Sequence, residues 1–301
     1  MVGKLDVFTG LEDGLLGITL DPNFQENNHL YLFYAHPHTV VEHVNRKPRK
    51  KGYNLVSRFT LNESKLDHSS EKEMIRIKTQ RDQCCHSGGS LTFDSKGNLY
   101  ASVGDNTNPF NSDGFAPIDE RNGRFAWDAQ KSSGNANDLR GKILRVTPQP
   151  DGSVKIPEGN LFDSVEDGAR SEVYVMGNRN PFRISVDPKT GFLYWGEVGP
   201  DAGGRRDGRG PAGYDEINQA RGAGNFGWPH FIANNKSYNR YDFAGKKSLD
   251  LFAPAKPRNK SPNNTGIEEL PAAQSAFIYY AHFPSVKWQT LNSGGGRTAM
   301  A

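Results

Sequence analysis

Residues 180–195 read NPFRISVDPKTGFLYW. An alternating run leads to an Asp-Pro corner, and a second run containing Leu-Tyr follows it. The design recurs at 87–103, SGGSLTFDSKGNLYASV, and at 11–34, LEDGLLGITLDPNFQENNHLYLFY. In each copy an Asp side chain caps the turn, Pro or Gly sets its dihedrals, and the flanking runs pair as antiparallel strands. Hairpins of this kind at wide, irregular intervals describe the blades of a β-propeller with long insertions between them. A β-sandwich is the competing architecture, although it spaces its strands more tightly. The expected fold is all-β, one domain over 1–301.

Composition agrees with many short strands joined by tight turns. The 301 residues include 33 Gly and 18 Pro, and 11% are aromatic. A formal charge of +3 is small for this length and carries no nucleic-acid footprint. No apolar run reaches membrane-spanning length, and Met1-Val2-Gly3-Lys4 opens without the apolar core of a signal peptide.

Outward from the opening hairpin, Val173–Met176 and Phe192–Trp195 have the length and make-up of strands. Each ends in a polar, glycine-bearing corner, Gly177-Asn178-Arg179-Asn180-Pro181 and Glu197-Val198-Gly199-Pro200-Asp201. Arg179-Asn180 is a candidate anion clamp, since guanidinium forks carboxylates; a surface salt bridge is the commoner fate of such an Arg. Gly199-Pro200 offers two consecutive carbonyls to a hard cation, or simply makes a turn. His86 precedes one strand and Asp105 follows the strand paired with it, so the two can meet at one rim. An imidazole held by a carboxylate is a competent general base, although spacing alone favours a histidine that merely bonds a turn.

Cys84 and Cys85 are adjacent and are the only cysteines, which excludes a disulfide framework. Neighbouring Cα atoms stand about 3.8 Å apart, short of the roughly 4.4–6.8 Å of ordinary disulfides. Two buried thiols are the simpler reading, and a bridge would suit a redox cofactor in an oxidising compartment. The basic run Arg46–Lys51 reads as a solvated loop. Residues 105–138 read as a long binding loop or lid, and 233–269 as a surface excursion. Trp228, in Gly224–Pro229, reads as a packing residue. Asp215, Glu216 and Asn218 fit turn or ligand roles equally. Phe277–Tyr280 is the last clear strand, and the ending without a closing element reads as an interruption.

Taken in order, Glu12-Asp13-Gly14-Leu15-Leu16-Gly17, His86 with its glycines, Gly104-Asp105, Gly177-x-Arg179-Asn180-Pro181, Gly199-Pro200, Asp215-Glu216-Ile217-Asn218 and Gly224-Asn225-Phe226-Gly227-Trp228-Pro229 resemble the soluble quinoprotein glucose/sorbosone dehydrogenase family, which includes the aldose sugar dehydrogenases. The resemblance runs from about Leu5 to the end. It implies a six-bladed propeller carrying pyrroloquinoline quinone (PQQ) and calcium, incomplete here with about four to five blades and truncated at both ends.

By the same resemblance, His86 is the base that takes the anomeric hydroxyl proton while hydride passes to the quinone. Asp105 orients His86. Arg179 and Asn180 hold the quinone, and Arg179 also stabilises its developing charge. Glu12 is a polar rim residue near cofactor and base. The Gly199 and Pro200 carbonyls bind calcium as a Lewis acid. The implied substrate is an aldose oxidised at C1, with electrons passing to an external acceptor such as a cytochrome c, in the periplasm or outside the cell. Cys85, Glu12 and Phe182 depart from the glucose dehydrogenases and point to the broader aldose-type branch. Further basic clamp residues of the family fall beyond Ala301, and Tyr279 or Tyr280 is a further candidate at the site. The alternatives are a non-catalytic extracellular binding propeller and an inactive fragment. A pure binding module has no need of His86, Arg179 and the Gly199-Pro200 corner together.

Overall fold

The computed structural model of the chain describes residues 2–44, 47–162 and 168–281. In chain order the first sheet holds β1 (Leu15–Leu20), β2 (His29–Ala35), β3 (Val40–Val44), β4 (Lys47–Asn62) and β5 (Lys65–Gln80). The second holds β6 (Gly88–Phe93), β7 (Leu99–Val103), β8 (Lys142–Pro148), β9 (Val154–Lys155) and β10 (Val173–Met176). The third begins with β11 (Pro181–Val186), β12 (Leu193–Glu197) and β13 (Tyr214–Ala220). After these come β14 (Gly224–Asn225), which joins the second sheet in parallel to β10, and two ribbons, β15 (Phe231–Ile232) with β16 (Lys236–Ser237) and β17 (Asn239–Asp242) with β18 (Lys247–Leu251). β19 (Ile278–Ala281) closes the third sheet on β13. Among the described residues the one α-helical turn is Phe24–Asn27.

Each large sheet contains a four-stranded antiparallel meander: β1-β2-β4-β5, β6-β7-β8-β10 and β11-β12-β13-β19. Their first strands stand side by side. The Gly17 Cα of β1 lies against the Gly89 carbonyl of β6, and the Ile184 N–H of β11 donates to Ser90 Oγ of β6 at 3.3 Å. Successive meanders packed with their first strands together form the arrangement of a β-propeller. Among the described residues there are three such sheets, fewer than the four to five expected, because 105–138 and 221–275 form loops, ribbons and one short added strand rather than further meanders.

The repeated hairpins lie where the alternation puts them, with β1 and β10 matching their expected spans. Asp21, Asp94 and Asp187 each accept backbone N–H groups two residues on, which closes the three corners. The stretch 47–51 differs from expectation. It is strand, not loop, because Val40–Val44 supplies a pairing partner and Lys51 meets Glu42 at 2.5 Å. The long β4–β5 hairpin left little sequence signal, since the first half of β5, Lys65 to Glu73, is almost wholly polar.

One apolar core, including Tyr31, Val56, Leu99, Leu144 and Val173, joins the first and second sheets. Another, with Ile143, Val175, Leu193 and Trp195, joins the second and third. Each such side chain stabilises the fold by roughly 1.5–3 kcal/mol when fully buried. These cores clamp the corners after β7, β10 and β12, so the site residues ride on fixed strand ends.

Candidate active site

His86 ends the loop before β6 with φ 65°, a left-handed conformation that costs a non-glycine residue about 1–2 kcal/mol. Three bonds hold it there. Its N–H donates to Glu12 Oε2 (2.5 Å), its carbonyl accepts the Asn106 N–H (3.3 Å), and its Nδ1 meets Asp105 Oδ1 (2.7 Å). Gly104 makes the approach possible, because a Cβ at that position would stand 2.1 Å from the His86 carbonyl oxygen.

Asp105 is fully buried. Besides His86 it accepts the Thr107 N–H on Oδ1 (2.9 Å) and the Trp228 indole N–H on Oδ2 (2.8 Å). Burial pushes its carboxyl up, but His86, Lys131 and Arg179 outweigh that and hold it below the usual range. Burial, and then the Arg179 charge, push the His86 imidazole below its ordinary value despite Asp105. The pair is therefore carboxylate and neutral imidazole. With Nδ1–H committed to Asp105, the lone pair sits on Nε2.

His86, Asp105, Arg179, Pro200 and Trp228 line one cavity of about 360 Å³. Arg179 donates from Nη1 to the Val198 carbonyl at 2.9 Å, and its guanidinium lies 5.9 Å from the Trp228 ring centre. Glu197 Oε1 accepts the backbone N–H groups of Arg179 (2.7 Å) and Asn180 (2.5 Å). Burial, then Glu216 opposite it in the β12–β13 register, push Glu197 up to about 8. Gly199 lines a smaller hollow that shares Arg179, Pro200 and Trp228 with the large cavity. Its N–H donates to Asp215 Oδ1 at 2.8 Å.

Other residues expected at the site do not line the large cavity. The Asn180 Oδ1 accepts the Gly88 N–H (3.1 Å), and Glu12 braces the His86 backbone; neither lines the large cavity. Tyr279 packs against Tyr214 with ring centres 5.8 Å apart, Tyr280 is buried, and neither lines it. Cys84 and Cys85 are joined as a disulfide, where the sequence favoured two thiols. Glu12 stands beside both sulfurs; with these bonded to each other, the trio is not a metal site.

Sequence reasoning missed the role of Trp228, and a signal was there. A buried indole N–H requires an acceptor, and Asp105 is it. It also missed Phe115, Arg206 and Arg209, which reach the cavity from the insertions at 105–138 and 200–213.

A strand-end dyad and an arginine facing a cavity on blade-like sheets define a propeller with a candidate acid–base site. The chain matches the model of the glucose/sorbosone dehydrogenase family over residues 1–294 and belongs to that family. It is 27% identical over 227 residues to the aldose sugar dehydrogenase YliI of Escherichia coli (strain K12), covering 75% of this chain and 49% of that protein. It is 25% identical over 249 residues to quinoprotein glucose dehydrogenase B of Acinetobacter calcoaceticus, covering 80% and 46%. The chain thus spans about half the length of these relatives. The fold resembles the PQQ-bound aldose sugar dehydrogenase of Streptomyces coelicolor with a TM-score of 0.52 at 20% identity, covering 94% of this chain and 59% of that one. Among the described residues no helix is long and apolar enough to cross a membrane.

Proposed function

We propose that the protein is a quinoprotein sugar dehydrogenase that oxidises an aldose at C1, with PQQ and calcium as cofactors. The observation that carries this reading is the neutral His86, its Nδ1–H held by the buried Asp105 carboxylate, at a cavity it shares with Arg179. Membership of the family supports it.

The donor set suits the cofactors. Trp228 offers an aromatic face and Arg179 a fork for carboxylates, both needed by a flat polycarboxylate quinone. The Gly199 and Pro200 carbonyls are the oxygen ligands that a hard cation takes. When bound, the quinone supplies the two-electron acceptor for the C1 hydride and calcium polarises it. His86 Nε2 removes the proton of the anomeric hydroxyl, and the sugar leaves as its lactone. Asp105 keeps the tautomer and steadies the imidazolium that forms. Arg179 lends positive charge where negative charge develops. Asn180 and Glu12 brace the turn that presents His86.

The reading includes an external electron acceptor such as a cytochrome c and a periplasmic or secreted location.

The test is a PQQ titration of the chain with and without calcium, followed by dye reduction with aldoses. His86→Ala should leave the quinone titration in place and lower turnover by about 10²–10⁴-fold. Unchanged turnover in that variant would remove His86 as the base.

A further inference from the structure

The loop between the Gly199-Pro200 corner and β13 carries two arginines into the same cavity, Arg206 and Arg209. Three other arginines nearby are paired with acids. Arg121 bonds Asp113 and Asp119, Arg124 bonds Asp119, and Arg205 meets Asp207 at 3.2 Å. Among the described residues the guanidinium groups of Arg206 and Arg209 form no ion pair.

Their setting is nonetheless built. The turn is closed by the Arg206 N–H to Gly210 carbonyl bond (3.0 Å) and the reverse bond from Gly210 (3.1 Å). Ser248 Oγ ties the Gly208 carbonyl to β18, and the Asn239 N–H ties the Arg209 carbonyl to β17. The Arg209 guanidinium lies 3.5 Å from the Phe115 ring centre and 4.5 Å from that of Tyr241. Phe115, Tyr241 and Phe243 pack mutually with ring centres 4.9 Å apart. A guanidinium stacked on fixed rings keeps its N–H edges free and loses little freedom on gripping a planar anion. Three guanidiniums line the cavity against two carboxylates, Asp105 and Asp201, and the Asp105 oxygens are taken by three donors.

Depth separates the roles. Arg179 is 4% exposed, while Arg206 is exposed and Arg209 half-buried. A resident cofactor belongs with the buried arginine, and an exchanging substrate meets the exposed pair. Phe110, 52% exposed, adds an open aromatic face on which a sugar ring can stack.

We propose that Arg206 and Arg209 form a carboxylate receptor at the cavity mouth, and that the preferred saccharide is acidic, a uronate or an oligosaccharide bearing one. This rests on the sugar dehydrogenase reading for the identity of the ligand as a sugar, but not for the binding itself.

The test is direct titration of the chain with D-glucuronate and with D-glucose, by calorimetry and ligand-observed NMR, first without cofactor and then with PQQ and calcium. Glucuronate should bind at least about tenfold more tightly than glucose at low salt, one charge-assisted bond being worth about that factor. The preference should shrink as salt rises. Arg206→Gln with Arg209→Gln should bring the two affinities together, and Arg205→Gln on the same loop should leave the preference intact. Arg206→Gln alone, at an exposed side chain, carries the test if the double variant unfolds. Equal affinities in the unaltered chain, or a preference that survives the double variant, would overturn the proposal. So would loss of PQQ binding in the double variant with the uronate preference intact, which would assign the arginines to the cofactor. Uronate binding without any dye reduction would sink the dehydrogenase reading and leave the receptor standing.

Discussion

Replacing Asp105 by Asn removes one charge from a fully buried site while keeping its shape. The carboxylate accepts from His86 at 2.7 Å, from the Thr107 N–H at 2.9 Å and from the Trp228 indole at 2.8 Å. An amide keeps a single acceptor oxygen. Turned toward His86 and Thr107, it sets its NH₂ against the indole N–H and orphans one buried donor; turned the other way it orphans two. The smaller loss predicts destabilisation of about 1–3 kcal/mol. The charge acts separately on His86. At about 4 Å and an effective dielectric near 20, one unit charge is worth about 4 kcal/mol before other charges respond. Lys131 and Arg179 also face this carboxylate and share its field. Loss of that charge should therefore lower the His86 pKa still further below its ordinary value. Histidine-labelled NMR titration, with His86 assigned through a substitution at that position, reads the pKa, and urea unfolding reads the stability. Dye reduction should fall by about 10²–10⁴-fold with it. A His86 pKa that stays level or rises in Asp105→Asn would refute the electrostatic account of the dyad.

Gly199→Ala should destabilise the chain by roughly 1–3 kcal/mol, because its Cβ would stand 1.6 Å from the Tyr214 carbonyl oxygen and the β12–β13 corner must open; urea unfolding checks this. Burial pushes His230 down to about 3, so the folded chain binds fewer protons there than the unfolded chain. The stability this group contributes is fully present above about pH 6.5 and is lost as pH falls toward 3. His230→Phe keeps the stacking on Phe252 and should flatten that acid loss in melts at pH 4 and 7; an unchanged slope would assign the acid sensitivity to other groups.

The three hairpins were legible because Asp-capped corners and period-two alternation are written within about a dozen residues. The His86–Asp105 pairing was less legible: the β6–β7 hairpin allowed it, but spacing alone favoured a histidine that merely bonds a turn. The strands at 47–51 were not, because what makes them strand is a partner and not their own polar composition. Asn180 and Glu12 show the same limit in the site. The sequence marked them as polar residues at the right corners, but the atoms they bond, Gly88 N–H and His86 N–H, come from other segments.

Local order along the chain thus determined the all-β character, the turn chemistry and the candidate dyad. Only the tertiary structure decided that Trp228 caps Asp105 from 123 residues away. It alone decided that Arg179 is buried beside that pair while Arg206 and Arg209 reach the same cavity, forming no ion pair among the described residues. The physical reason is that a turn or a strand is stabilised by its neighbours in sequence. A proton affinity or a free guanidinium is set instead by desolvation and by charges brought from distant segments, which no local pattern encodes.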